Sequence, residues 1–491
     1  MADDPNNLSD LAQLCDRAIA SEDKEIILAL IDQIERIDLS TVQGSHLSQL
    51  SYVLGNLFAS VSSVSRENLS EWRVKKFPAY RVKAINCYRR AQAFGDKHEG
   101  LARLEITTNL ANEISYQGRA VEAISTWNTN LEIPGDAPIV ASFAKARSLL
   151  WLTHFLEDPG HADCHALEAY KLLKALDQQM REEDHPTIFE ALKNEDMYRN
   201  ILDFGDRQSQ ENLDWCNLEP DTSYSDEEKR YRLWCLEMGL FANDLNDITS
   251  NWIADRDILQ FPTHVLSIGN GPYLAAAFSA IKREYCFARF LAYEGINSVH
   301  PDYEDQNLFL ADTFDGVRLE GHIEKTKTAF RVAFSVLDSI AMLLNQYFDC
   351  RDEAASFKPR WIMENLAHKS NPFVDAIYWL SCDLTDESKI SAENWKAPNP
   401  NGGEIRRIRN AIEHSWLRVV EYSSGPSEDL NDYAYIVTKD DLNELTIDVL
   451  RLTRAAMHYI CYAVKYEEEQ KNKSRGEGLK FGQEVPLWNK L

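Results

Sequence analysis

The stretch 321–348, GHIEKTKTAFRVAFSVLDSIAMLLNQYF, decides the fold class of this 491-residue chain. Its apolar residues recur at three- and four-residue spacing, which is the period of one face of an α-helix. These residues are Ile323, Ala329, Phe330, Ala333, Phe334, Leu337, Ile340, Ala341, Leu344, Tyr347 and Phe348. The same period predicts long helices over 273–293, 371–384, 404–422 and 439–468. Long helices with short connections indicate a helical bundle over 273–468.

Helical periodicity also runs through the chain before the bundle. Residues 1–205 are predicted to form successive helices of about 12–20 residues joined by short turns. Breaks in the period, such as that at 214–220, predict a bridging helical segment over 206–272. Residues 469–491 form a charged tail. Alternating strand patterns are almost absent, the best being Tyr433–Val437, so the expected fold is all-α.

The segment Leu101–Leu131 predicts two helices joined by a turn at Gln117–Arg119. This unit of about 34 residues resembles a tetratricopeptide (TPR) repeat. The small and large aromatic residues that carry the resemblance are Ala111, Ala123 and Trp127. Less regular units are predicted over 76–93 and 138–176, so 1–205 is interpreted as a TPR-like helical repeat region, with an irregular helical array as the alternative. Either arrangement offers an extended surface that suits a protein or peptide partner.

The composition excludes several classes of protein. Apolar residues make up 44% and charged residues 26%, the balance of a globular chain. The formal charge of −26 argues against a protein that coats duplex nucleic acid, so any contact with nucleic acid needs a local basic patch. No stretch approaches the ~20 apolar residues of a membrane helix, and the acidic start is unlike a secretory signal. Nine cysteines without a Cys-x-x-Cys pair indicate reduced thiols in a cytoplasmic protein.

One such basic patch is present in the segment Glu404–Arg418, which holds four Arg, one His and two Glu. Apolar residues at helical spacing are expected to face the core; they are Ile405, Ile408, Ile412 and Trp416. Asn410 and His414 are four residues apart and therefore share one helix face. Arg409 lies about 140° from His414 around the helix, but its long side chain can turn toward the imidazole.

This combination of side chains suits metal-independent RNA cleavage. A guanidinium matches phosphate oxygens and stays charged, whereas an imidazole can move protons near neutral pH. A base would take the proton of a ribose 2′-OH, the 2′-oxygen would attack the adjacent phosphorus, and an arginine would stabilise the developing charge. The need for a 2′-OH would restrict the activity to RNA.

The motif Arg409-Asn410-Ala411-Ile412-Glu413-His414, Arg-Asn-x-x-x-His, resembles the signature of HEPN (higher eukaryotes and prokaryotes nucleotide-binding) domains. Many of these domains are metal-independent endoribonucleases. The stretches 327–341 and 376–384 are similar to earlier helices of a bacterial HEPN variety that often follows TPR-like repeats. The resemblance covers about 273–468 and implies a helical bundle. It implies that Arg409 and His414 are the catalytic pair and that Asn410 orients them.

The resemblance also carries expectations about assembly and biological role. Arg406, Arg407 and Arg418 are candidate RNA-binding residues, although Arg407 also fits a solvated surface charge. HEPN sites usually form across a homodimer, so a homodimer with an RNA substrate is expected. Related proteins often act as toxins or antiviral effectors, in which the rest of the chain senses a trigger. No cofactor and no metal are expected.

Other interpretations of the sequence stay open. Arg409 could pair with Glu413 on the surface while His414 is half-buried and structural. The chain could be a non-catalytic scaffold that binds a protein partner or nucleotide, or a nucleotide-binding regulator paired with a nucleotidyltransferase. A weaker candidate is a zinc site, because a helix could place ligand atoms on one face; its residues are His161, Cys164 and His165. Polar residues of the stretch 321–348 could also complete a HEPN site, or form a solvated face; they are Glu324, Lys327 and Asp338.

Overall fold

The computed structural model describes residues 5–37, 42, 44–68, 70–74, 79–94, 100–129, 136–183, 196–208, 214–265, 271–298, 303–310, 316–384, 400–421 and 434–474. These parts of the chain contain sixteen α-helices and a two-stranded sheet, which confirms the all-α prediction. Most of the charged tail predicted at 469–491 lies outside the described residues, and the last helix continues to Ser474.

The first eight helices form the N-terminal array, in which consecutive helices pack against each other. They are α1 (Pro5–Ala20), α2 (Lys24–Glu35), α3 (Gly44–Val64), α4 (Ala79–Phe94), α5 (Gly100–Tyr116), α6 (Ala120–Asn128), α7 (Asp136–Thr153) and α8 (Pro159–Glu183). The turn predicted at Gln117–Arg119 separates α5 from α6, and Gly118 adopts a left-handed φ of 78° there. The TPR-like character of the array stays a prediction.

The bridging region that follows is only partly helical. Helix α9 (Asp196–Gly205) lies at the end of the predicted repeat region, and the bridging segment contains α10 (Asp226–Glu237), followed by 3-10 turns at Asp244–Asp247 and Trp252–Ala254. The first turn is buried under Arg454, whose guanidinium donates to Asp247 and to the Asn243 carbonyl oxygen at 2.7 Å. This part of the bridge is therefore packed into the core through polar contacts and does not act as a flexible linker.

The remaining helices form the bundle. They are α11 (Tyr273–Asn297), α12 (Gly321–Tyr347), α13 (Pro359–Leu366), α14 (Pro372–Asp383), α15 (Pro400–His414) and α16 (Lys439–Ser474). Helix α12 packs along α11 and α16, which explains the long apolar face predicted for the stretch 321–348. The side chain of Asn371 caps α14 by accepting from the backbone N–H groups of Phe373 and Val374, and Pro372 occupies the first turn.

By length and composition alone, α12 is the one helix among the described residues that is long and apolar enough to cross a membrane. The prediction from sequence had found no such stretch. A buried core helix of a soluble protein passes the same test, and α12 places residues of its apolar face, including Phe330 and Leu337, in the core with at most 1% exposure.

The N-terminal array and the bundle share one hydrophobic core, and both α14 and α16 contact the array. Trp72, at the 3-10 turn Glu71–Val74 before α4, stacks on Tyr378 with ring centroids 4.0 Å apart. Phe373 contacts Trp151 and Phe155, with centroids at 5.0 and 4.8 Å. Along these contacts, α14 of the same chain thus occupies the surface of the array that was predicted to bind a partner.

Two carboxylates of α14 face arginines of the array. Asp375 accepts hydrogen bonds from Trp72 at 2.8 Å and from Arg73 at 2.9 Å. Asp383 is fully buried and lies between Arg89 at 3.0 Å and Arg119 at 2.7 Å. Burial would raise the pKa of Asp383, but the two guanidinium groups outweigh it and hold that pKa below its ordinary value.

The small sheet corrects one prediction about the region after the motif. Strand β1 (Leu417–Val420) pairs in parallel with β2 (Tyr435–Thr438). The helix predicted over 404–422 therefore ends at His414, and the weak strand pattern at 433–437 overlaps β2. The sequence Asn-Pro-Asn-Gly-Gly at 399–403 predicts a loop, and this prediction is wrong from Pro400 onward, because α15 begins there.

Candidate functional site

The Arg-Asn-x-x-x-His motif occupies the last two turns of α15 rather than the early part of a long helix. Ile405 and Ile408 are fully buried and anchor the helix against the bundle. The last helical backbone bond runs from the Ser415 N–H to the Ala411 carbonyl at 3.1 Å. After it, the Tyr435 N–H donates to the Trp416 carbonyl at 2.9 Å, so strand pairing begins two residues beyond His414.

The Arg409 side chain is held by two neighbours. Its guanidinium donates to Asn410 Oδ1 at 3.2 Å, and its central carbon lies 5.7 Å from the ring centroid of Phe334 on α12. Cationic groups are attracted to aromatic faces at this distance. Within the described residues Arg409 does not pair with Glu413, which was the alternative role considered from the sequence.

Asn410 and His414 are both exposed and lie one helical turn apart. Because Arg409 reaches Asn410, its guanidinium is turned toward the face that carries His414. His414 is not a half-buried structural residue, since its side chain is open to solvent at the end of α15. An imidazole, a carboxamide and a guanidinium are therefore available on one rim, where a ligand can approach.

The other arginines of the segment have different surroundings. Arg407 is exposed and lies 3.4 Å from Glu404, which also accepts a hydrogen bond from Tyr435 of β2. Arg406 is half-buried on α15, and Arg418 is half-buried on β1 opposite Ile436. The three candidate RNA-binding residues thus flank the motif from the helix and from the strand.

A second contact fixes β1 from its other edge. The Arg318 N–H donates to the Val419 carbonyl at 2.7 Å, and Val317 forms an antiparallel bridge with Val420. The Arg318 side chain pairs with Glu421 at 2.9 Å. These bonds attach the end of the motif to the chain that leads into α12, the helix that contributes Phe334.

Trp416 was expected in the core, and that prediction is wrong. Its side chain is 73% exposed, whereas Ile412 is half-buried as a helical face requires. The helical spacing ceases to apply after His414, because residues 417–420 form a strand. The sequence signal for this change is the β-branched pair Val419-Val420, which favours a strand.

The remaining polar candidates have structural partners. His161 lies 3.3 Å from Asp244, and His165 Nδ1 lies 2.8 Å from the His161 carbonyl oxygen. In the described parts of the chain, no group of three or more His, Cys, Asp and Glu residues could hold a metal ion. Lys327 pairs with Glu324 at 2.7 Å.

Asp338 likewise has a structural partner, because it accepts a hydrogen bond from the Phe357 N–H at 2.9 Å. Phe334 was not among the predicted site residues, since its spacing fits the apolar stripe of α12. Only its position under Arg409 distinguishes it from the other members of that stripe.

The bundle belongs to a known class. The family model described as LA2681-like HEPN matches residues 265–467, which include α11 to α15, most of α16 and the whole motif. Residues 265–467 are therefore a HEPN domain of the LA2681-like kind. HEPN domains are generally of ribonuclease type, which points to a function related to RNA. No curated protein and no solved structure matches the chain.

Proposed function

We propose that this protein is a metal-independent endoribonuclease. The supporting observation is that His414 and Asn410 are exposed on one rim while Arg409 is directed toward that rim by Asn410 and Phe334. A phosphodiester that lies across the end of α15 meets a proton-transfer group and a permanent cation together.

The chemistry requires these side chains, a proton donor and the RNA. His414 takes the proton of the ribose 2′-OH, and the 2′-oxygen forms a bond to phosphorus. The bond from phosphorus to the 5′-oxygen breaks, and that oxygen takes a proton from the protonated His414 of a second copy of the chain and leaves as a hydroxyl. Arg409 stabilises the charge that develops on the phosphoryl oxygens, and Asn410 keeps the guanidinium in place. The products are a 2′,3′-cyclic phosphate and a 5′-hydroxyl.

A homodimer is part of this proposal. One imidazole is a poor match for both the base that opens the reaction and the acid that completes it. A second copy of α15 across a twofold axis would supply a second His414 and a second Arg409 to the same cleft. Light scattering at micromolar concentration is expected to give the mass of two chains; full activity of a monomer would contradict the shared cleft.

The experiment that tests the activity compares motif variants with matched surface variants. Arg409→Ala and His414→Ala are each expected to lower RNA cleavage in EDTA by at least about a hundredfold, because each removes a group that acts in the transition state. Arg360→Ala and His368→Ala change exposed residues of the same types elsewhere in the bundle and are expected to keep full activity.

Circular dichroism must show that all four variants remain folded. The cleaved ends of the wild-type reaction are expected to carry the cyclic phosphate or its opened form. Cleavage that persists in both motif variants would refute the proposal. Absence of cleavage in the wild type, together with retained partner binding, would favour a non-catalytic HEPN scaffold instead.

The biological role we infer is that of a toxin or antiviral effector whose N-terminal array senses a trigger. The contacts between array and bundle through Asp375 and Asp383 support communication between the two parts. Expression of the wild type is expected to arrest growth and degrade cellular RNA, whereas His414→Ala is expected to be harmless at equal abundance. A partner on the array would use surfaces that α14 leaves free.

A further inference from the structure

Trp416 is a large aromatic residue two positions beyond the motif, and it is 73% exposed. Its backbone is not free, because its carbonyl accepts the Tyr435 N–H at 2.9 Å and the next four residues form β1. The ring is therefore presented to solvent from a fixed part of the backbone. The apolar core lies close by, since Ile405 and Ile408 of α15 are fully buried.

The surroundings of Trp416 favour a nucleic-acid ligand. His414 and Trp416 are separated by one residue, which limits the distance between their Cα atoms to about 7 Å. The segment Glu404–Arg418 carries four arginines within a chain of net charge −26. Aromatic rings next to cations are the combination by which proteins hold single-stranded nucleic acid, because the ring stacks on a base and the cations hold the backbone.

A protein partner fits this position less well. The fully buried centre of a protein interface is depleted in charged residues. Trp416 is instead preceded by exposed Glu413, His414 and Ser415 and followed by Arg418. An isolated ring among polar groups can cover a base, whereas it offers little continuous apolar area to a second protein.

We propose that Trp416 is a base-stacking platform that holds an unpaired base of the RNA next to the scissile phosphate. A base inside a duplex is already stacked and its face is not accessible, so paired RNA could not stack on the Trp416 ring. This inference rests on the proposed ribonuclease function and adds to it a binding residue.

The test measures RNA binding separately from cleavage. In full-length protein carrying His414→Ala, Trp416→Ala is expected to weaken binding of a fluorescein-labelled single-stranded 12-nucleotide RNA about tenfold or more, by fluorescence anisotropy. Trp416→Phe keeps a ring and is expected to stay within about threefold of the parent. The matched control is Tyr273→Ala, because Tyr273 is 74% exposed at the start of α11. This control is expected to have no effect.

Oligonucleotides that lack one base at a time locate the stacked nucleotide. Removal of one particular base is expected to weaken binding to the parent and to have no further effect in Trp416→Ala, because both changes remove the same contact. In otherwise wild-type protein, Trp416→Ala is expected to raise KM more than it lowers kcat.

Three outcomes would overturn the proposal. Equal RNA affinity of Trp416→Ala and its parent would exclude stacking while leaving the nuclease intact. A change from dimer to monomer in Trp416→Ala, seen by light scattering, would assign the ring to a contact between copies. Failure of every version to bind or cleave RNA would remove the proposed function and the stacking proposal together.

Discussion

Phe334 shows how one apolar residue can set the orientation of a charged one. Its ring lies 5.7 Å from the guanidinium carbon of Arg409, and it comes from a different helix than the motif. A contact of this type contributes about 0.5–1 kcal/mol at a partly exposed position. The attraction is small for stability, but it limits the positions available to a group that must meet a phosphate.

Phe334→Leu is expected to lower kcat for RNA cleavage about three- to tenfold, because Arg409 loses the aromatic face that restrains it. Phe334→Tyr keeps the ring and is expected to restore kcat. Phe330→Leu is the control, since it changes a fully buried ring one turn earlier on α12 and is expected to reduce stability without a selective loss of kcat. Steady-state kinetics and thermal unfolding of the three variants separate positioning from a general loss of stability.

Among the elements, α14 has the most demanding contacts, because buried charges join it to the array. Asp383 has no solvent exposure and is paired with Arg89 of α4 and with Arg119 of the turn before α6. A buried carboxylate is tolerated only when such partners and their hydrogen bonds replace water. The start of α14 also packs closely against the turn between α5 and α6. A Cβ added at Gly118 of that turn would lie 2.6 Å from the Pro372 carbonyl oxygen.

Asp383→Asn is expected to reduce the free energy of unfolding by about 3–5 kcal/mol, because it leaves Arg89 and Arg119 without their buried counter-charge. Asp349→Asn is the matched control: Asp349 pairs with Arg351 at 2.8 Å, but both side chains are largely exposed, and no measurable change in stability is expected. Urea denaturation monitored by circular dichroism measures both. A loss below about 1 kcal/mol for Asp383→Asn would show that the buried pair contributes little.

A second element, the turn Asp244–Asp247, is held between α8 and α16 by a buried polar cluster. His161 and Tyr462 contact Asp244 at 3.3 and 2.6 Å. His165 and His458 are also fully buried there, and the Nε2 atom of each has no hydrogen-bond partner in the described structure. Burial lowers the pKa of His165, and burial with the nearby Arg454 lowers that of His458, from the ordinary value of 6.5.

Because these two pKa values are depressed, the unfolded chain binds more protons than the folded chain at mildly acidic pH. Stability is therefore expected to fall as the pH drops below about 6.5, by up to about 1.4 kcal/mol per pH unit for each histidine. His165→Asn with His458→Asn keeps a donor near each Nδ1 position but does not titrate, so the decline between pH 7 and pH 5 is expected to become shallower. Urea titrations at several pH values measure it; equal slopes in both proteins would contradict the assignment.

At the scale of the whole molecule, array and bundle are expected to unfold together. Trp72, Trp151 and Phe155 pack on α14, and Tyr459 of α16 donates to Glu122 of α6. Separation would expose these rings and leave buried charges unpaired, so neither part gains stability by itself.

Calorimetry of the full chain is therefore expected to give one transition, and a fragment of residues 265–491 is expected to aggregate or to bind a dye for exposed apolar surface. Co-expression with residues 1–264 is expected to recover a soluble complex. Two independent transitions, or a well-folded fragment, would show that the interface is not essential. The same interface is the physical route by which an event on the array can reach the bundle.

Much of this architecture is present in local sequence patterns. Three local patterns each predict an element that the structure contains. They are the apolar spacing of 321–348, the cap and proline at Asn371-Pro372 and the turn at Gln117–Arg119. These signals are local because a helix is defined by contacts three and four residues apart. The Arg-Asn-x-x-x-His motif is visible for the same reason, since its residues share one helix.

Other features depended on residues far apart in the chain. The end of α15 at His414 depends on pairing with Tyr435–Thr438, and the exposure of Trp416 follows from that pairing. The contact between Arg73 and Asp375 joins residues 302 positions apart, and no period within either segment reveals it. Amphipathic patterns specify which face of a helix is buried but not which partner covers it. Only tertiary packing therefore decided that α14 packs against the array and that Phe334 contacts Arg409.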